Sequence, residues 1–223
     1  MPKPTFHNLP APKQRRLVRA ALDEFASKPY PEASLDRVAA RAQVAKGSLY
    51  QYFEGKADLY RYLVLEELGR RRRAALASVG DGGTLFERLV AMFRAGLTAF
   101  EDDPKAAALG ARVHEDAGDA ATRALKSELR ERAVSELREL LRAAVERGEV
   151  RADIDLDVAA RVVATVAGPG LVDALCARLG KSVAQIARGR VAVDESAVAE
   201  TVRAAMEILA HGLAAPARKG ARR

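Results

Sequence analysis

The chain has 223 residues, 49% hydrophobic and 30% charged, a net charge of +7 and one cysteine, Cys176. That composition suits a globular chain of one large domain, or of a small domain joined to a larger one, and a lone cysteine excludes an intrachain disulfide framework. No apolar run reaches the roughly 18 residues a membrane helix needs (Val162–Val172 comes nearest and contains Gly-Pro-Gly), and there is no apolar leader, so the expectation is a cytoplasmic protein with no membrane partner. Charge is uneven: residues 1–60 carry a net +4, residues 61–217 a net −1, and the tail after Pro216 a further +4. A basic end on a near-neutral body predicts an anionic partner for that end.

Apolar residues recur at helical spacing and no run alternates with period two, so the expected class is all-α. Leu17, Ala21 and Phe25 predict a first helix over about Lys13–Ser27, ended by Lys28-Pro29-Tyr30-Pro31 because proline cannot continue the ladder. Ser34 is placed to cap a short helix with Leu35, Val38, Ala39 and Ala42 inward. A turn at Ala42-Gln43 leads to a third helix over about Val44–Phe53, and Gly55 precedes a longer one through Leu59, Tyr62, Leu63 and Glu66 to Val79. Gly80–Gly83 breaks the chain, and Thr84 with Glu87 forms a capping box opening a helix to Glu101. Asp102-Asp103-Pro104 separates that from a short helix ending near His114, and Asp116–Asp119 is a turn. The longest helix runs to about Arg147, and Gly148 stops it. Asp155 caps the next, which Pro169 must kink or break, and a last amphipathic helix covers Asp194–Leu213. The tail from Ala214 is small, basic and expected to be disordered.

Ser34–Phe53 therefore reads as helix, tight turn, helix, the length of a helix-turn-helix unit. In its second helix Ala45, Leu49 and Phe53 face inward, leaving Lys46, Gly47, Ser48, Tyr50, Gln51 and Tyr52 to be contacted. Glycine lets the backbone approach a base or phosphate, hydroxyls can donate to phosphate, and Lys46 or Gln51 can reach base edges in a major groove. Lys56, at the start of the following helix, adds charge beside backbone N–H groups that favour an anion.

Arg15–Tyr60 resembles the DNA-binding domain of TetR-family transcriptional regulators. The matching features are Ala20-Ala21-x-x-x-Phe25, Ala39-x-x-Ala42-x-Val44, and Lys46-Gly47-Ser48-x-Tyr50-x-Tyr52-Phe53-x-x-Lys56-x-x-Leu59. The resemblance implies a three-helix DNA-binding domain over residues 1–54 and a larger helical dimerisation and ligand-binding domain over 55–213, with 214–223 as the basic tail. It also implies a homodimer on a palindromic operator and DNA contacts from Lys46, Gly47, Ser48, Tyr50, Gln51, Tyr52 and Lys56; Ser34 joins this set as a further candidate. Two positions depart from the family pattern: Gln43 and Lys28-Pro29 stand where glycine is usual. If Gln43 needs positive φ, the strain is about 1 kcal/mol.

No metal-ligand spacing, phosphate loop or catalytic constellation appears, so neither cofactor, metal nor enzymatic activity is expected. Arg70–Arg73 circle a helix and read as a solvated surface. Phe93, Leu97, Phe100, Leu109, Val113, Val162 and Val166 are candidates to line a pocket, with Arg112 or His114 meeting a polar group. Few aromatics and no tryptophan favour a flexible aliphatic effector, a fatty acid or its thioester, over a flat polycyclic one. The expected function is a ligand-released repressor; the alternative is an architectural or partner-recruiting DNA-binding protein of the same fold without an inducer.

Overall fold

The computed structural model describes residues 2–77, 82–115, 120–187 and 194–213, and among these there are helices and no strands. The all-α expectation holds. The chain divides into two compact units, one of residues 1–77, 96–129 and 183–191, the other of 78–95, 130–182 and 192–223.

The first unit opens with a helix that periodicity does not reveal, α1 (Pro4–His7), followed by α2 (Ala11–Ser27), α3 (Leu35–Ala42), α4 (Lys46–Tyr52) and α5 (Lys56–Tyr62). A π-helical turn, Leu63–Glu67, carries α5 into α6 (Leu68–Leu76). The second half of α7 (Leu85–Asp102), α8 (Pro104–Glu115), the start of α9 (Ala120–Glu146) and α12 (Val183–Ala187) complete the unit. The stripe Leu17, Ala21, Phe25 is buried as expected, and it meets Leu49, Phe53, Leu59, Leu63 and Leu109 in one core. Each such side chain contributes about 1.5–3 kcal/mol by leaving water. Ser34 caps α3 through the Asp36 N–H at 3.2 Å. Gln43 takes the left-handed conformation, φ 56°, and is the one non-glycine residue with positive φ among the described residues.

In the second unit Thr84 and Glu87 exchange capping bonds, the Thr84 N–H reaching Oε2 at 2.7 Å and the Glu87 N–H reaching Oγ1 at 3.3 Å. Gly148 stops α9 with φ 73°. Asp155 caps α10 (Leu156–Thr165) by accepting from the Asp157 and Val158 N–H groups. Pro169 falls inside a π-helical turn, Val166–Gly170, whose Gly168 leaves helical geometry at φ −106°, ψ −107°. The expected kink is there, and α11 (Leu171–Leu179) then packs on α13 (Glu195–Leu213). Because helix continues through the kink, Leu156–Leu179 is long and apolar enough to cross a membrane by length and composition, which reading only to Val172 overlooked. Val158, Val162 and, on α13, Ile208 are exposed at 58%, 49% and 71%, so apolar surface remains uncovered by the chain itself. The expected turn at 116–119, the break at 80–81 and the tail from Ala214 lie outside the described residues.

Candidate nucleic-acid interface

Helix α4 is seven residues long and has no side-chain N-cap, too short to hold its own conformation; its pose comes from what surrounds it. From inside, Leu49 and Phe53 are anchored in the core, 1% and 2% exposed. From the front, α3 sets the approach, and α3 is itself fastened to α2 by a buried carboxylate. Glu24 is fully buried; Oε1 accepts from the Ser34 N–H at 3.0 Å and from Arg37 Nε at 2.8 Å, and Oε2 accepts from Arg41 at 3.2 Å. Burial pushes this carboxyl up, but the Arg37 and Ser34 hydrogen bonds and the charges of Arg37 and Arg41 outweigh it and hold it below the ordinary carboxylate value. Glu24 was not singled out from the sequence, although a glutamate three residues after Ala21 on the apolar stripe is the signal that could have found it.

On the outward face Lys46, Gly47, Tyr50 and Gln51 are exposed and Ser48 is half-buried. Lys46 pairs with Asp36 at 2.9 Å; the hydrogen bond first and the charge second raise its pKa, and both groups remain open to solvent. A Cβ built on Gly47 meets nothing within 4 Å, so nothing in the chain itself requires glycine there. These residues form one continuous polar face.

Two further residues expected to touch DNA lie off that face. Tyr52 is 6% exposed, its ring 6.5 Å from Phe6, so its body is core. Lys56 turns back into the loop before α3, donating to the carbonyls of Tyr30 (2.9 Å), Pro31 (3.1 Å) and Ala33 (3.2 Å) and lying 4.6 Å over the Tyr30 ring. An ammonium has three N–H bonds, and all are used. The physical reason is Pro29 and Pro31: without N–H groups they leave a loop rich in acceptors, which the lysine satisfies. Ser34 uses its oxygen as the α3 cap, and its O–H meets no acceptor among the described residues.

The expected effector residues are divided between the two units. Leu109 and Val113 belong to the core of the first unit, 0% and 7% exposed. Arg112 caps the end of α2, donating to the Ala26 carbonyl at 2.8 Å and the Ser27 carbonyl at 3.2 Å. Leu97 is half-buried in that unit, and Phe93 and Val166 are half-buried in the other, where Val162 is exposed. The side chains of Phe100 and His114 lie outside the described residues. Among the described residues there is an open groove of about 410 Å³ between the first half of α7 and α13, floored by Val202 and Met206, walled by Phe86 and Val90, and flanked by Arg94 and Arg203 with Glu207 beside them. Neither arginine is held by a carboxylate among the described residues. Those residues also contain no group of three or more His, Cys, Asp or Glu able to hold a metal.

Residues 17–63 match the profile of bacterial regulatory proteins of the tetR family, covering α2 to the start of the π turn. Over nearly its whole length the chain is also similar to a TetR-family transcriptional regulator from Chloroflexus aurantiacus, 27% identical, TM-score 0.67, covering 97% of this chain and 100% of that one. It belongs to the TetR family. The TetR helix-turn-helix is thus α3 and α4. Further similarity is to a fatty acid metabolism regulator protein of Bacillus subtilis, 28% identical over 78 residues, 35% of this chain and 40% of that protein. In fold the chain also matches the transcriptional regulator FadR of Bacillus subtilis, solved in complex with stearoyl-CoA (18% identity, TM-score 0.67, 89% and 98% coverage). The chain spans 34% and 40% of the length of two curated relatives it matches.

Proposed function

We propose that this TetR-family protein is a repressor that binds a palindromic operator as a homodimer and leaves it when an amphipathic aliphatic molecule binds. The observation that carries the DNA reading is the outward face of α4: a lysine, an unneeded glycine, a serine, a tyrosine and a glutamine presented on a helix whose other side is locked into the core. Two such helices spaced by a two-fold axis would enter successive major grooves. Uncovered Val158, Val162 and Ile208 support the two-fold, because apolar side chains left in water by one chain are satisfied by a second copy. Val202 and Leu209 are buried within the chain, which favours the opposite side of α13 as the dimer face.

Effector chemistry is supported by the apolar α7/α13 groove, whose two guanidinium groups meet no carboxylate among the described residues and which suits an acyl chain ending in an anion. The likeness to a fatty acid metabolism regulator and to a protein solved with stearoyl-CoA points the same way. Burying about ten methylenes at about 0.8 kcal/mol each supplies micromolar affinity after ordering costs. The ligand acts only through its differential affinity for the DNA-competent and DNA-incompetent states. The test is selection of duplexes from a random pool, followed by titration of the complex with acyl thioesters of rising chain length. Release that strengthens with length supports the reading; release by none of them, with selective DNA binding intact, leaves a TetR-fold protein without this inducer.

A further inference from the structure

The segment ahead of α2 belongs to none of the functions above, and it is bonded to the end of the reading helix. The last turn of any α-helix leaves carbonyls without intrahelical partners, to be met by water or a cap. At the end of α4 three consecutive carbonyls are met by donors from residues 3–5. Lys3 Nζ donates to the Tyr50 carbonyl at 2.9 Å, the Thr5 hydroxyl donates to the Gln51 carbonyl, and the Lys3 backbone N–H donates to the Tyr52 carbonyl at 2.8 Å. Behind these, Phe6 is 2% exposed, with its ring 5.0 Å from Phe53 and 5.2 Å from Tyr62. The segment is held in turn by α2, where the Gln14 side-chain amide donates to the Phe6 carbonyl at 2.8 Å and the His7 carbonyl at 3.1 Å.

Two of the three clamped carbonyls belong to Tyr50 and Gln51, exposed residues of the DNA-reading face. A hydrogen bond to a base edge tolerates only a few tenths of an ångström and weakens steeply off axis, so a reading helix must be aimed as well as folded. A seven-residue helix with no N-cap side chain has little stiffness of its own, and the donors at its C-terminus fix its tilt and roll. We infer that Lys3, Thr5 and Phe6 are positioning residues for sequence reading: they set the pose of α4 and so determine how sharply the protein discriminates between DNA sequences, without themselves touching a base.

The prediction separates from simple destabilisation because partial unfolding lowers affinity for every duplex by the same factor and leaves the ratio of specific to non-specific affinity unchanged. With the full chain, dissociation constants are measured for a selected site and for a scrambled duplex at one salt concentration, in wild type, Thr5→Val, Thr5→Ser and Phe6→Ala. Thr5→Val deletes one surface hydroxyl and keeps the shape, so it remains readable even if Phe6→Ala fails to fold. Thr5→Val is expected to lower affinity for the selected site by about 10-fold, the scale of one good base contact, with the scrambled duplex within about 2-fold of wild type. Thr5→Ser, which retains the donor, is expected to restore the ratio. An unchanged ratio in Thr5→Val, or equal losses on both duplexes, would overturn the inference. The inference rests on α4 reading DNA: a wild-type protein that selects no sequence removes that reading, whereas unaltered selectivity in the variants removes only the clamp.

Discussion

Single residues of the helix-turn-helix pull function and stability in opposite directions. Gly47 sits within α4 with open space where a Cβ would go, so Gly47→Ala should stabilise the domain by roughly 0.5–1 kcal/mol, the ordinary helix advantage of alanine. The same methyl would stand between the helix and DNA, and affinity for the selected site should fall. Thermal unfolding and a binding titration on one sample decide it; a variant less stable than wild type would show that the glycine is needed by the fold. Gln43 is the mirror case. Its side chain is exposed and its backbone left-handed, so Gln43→Gly removes strain of about 1 kcal/mol and gives part of it back through the freer unfolded chain. A small rise in thermal midpoint with unchanged DNA affinity is expected. Lys56 was read from sequence as a phosphate contact, but its ammonium is spent on three carbonyls of the loop before α3. Lys56→Met should therefore cost about 1–3 kcal/mol of stability from unsatisfied acceptors and leave the salt dependence of DNA binding unchanged. A salt slope lowered by about one would restore the phosphate role.

Between elements, the joint that matters is α2 against α3, and it is made by one acid. Glu24 has its folded pKa depressed relative to the unfolded chain, so its contribution is fully present above about 4.5, the ordinary glutamate value, and is lost as pH falls through the lower, folded value. Glu24→Gln should lower the thermal midpoint at pH 7, and the gap to wild type should narrow as the pH is taken from 5 to 3. A gap that stays constant would mean that packing of the side chain, and not its charge, joins the helices. Most of these elements were legible in the sequence because each carries its own periodic stripe or cap: Leu17-Ala21-Phe25, Ser34, Thr84 with Glu87, and Asp155 all fall where local rules put them. Helix α1 was not. Four residues with one buried side chain give no period, and Phe6 acquires meaning only from Phe53 and Tyr62, far along the chain. Which effector candidates line a cavity was not legible for a different reason. Leu109 and Val113 have the same character whether they line a void or fill a core, and pattern alone does not distinguish the two.

For the whole molecule, assembly decides whether one reading helix or two meet DNA. The uncovered side chains Val162 and Ile208 can take charge without disturbing the core of the chain, unlike buried Val202 and Leu209. A Val162→Glu, Ile208→Glu double variant should sediment as a folded monomer at micromolar concentration and lose most of its affinity for a palindromic site, with half-site binding retained. If it remains a dimer, the two-fold lies elsewhere on the surface. The helix-turn-helix could be taken from residues 15–60, since it is a local object. The partner surface could not be located that way, because an apolar stripe facing its own core and one facing a second copy are written in the same residues.

The π turn at Leu63–Glu67 has a geometric consequence of its own. A π turn takes in one more residue than an α turn, so deleting one residue here would let it close as ordinary α-helix with the downstream half on its present bearing, whereas the same deletion inside a regular α-helix would turn everything beyond it by about 100°. Arg70 and Arg71, three and four residues beyond Glu67 on the same helix, would keep that carboxylate, and Arg71 would keep Asp103. The turn works as an expansion joint: one surplus residue is stored there without changing where α6 points, and a one-residue deletion would take up slack and leave the direction of the helix intact.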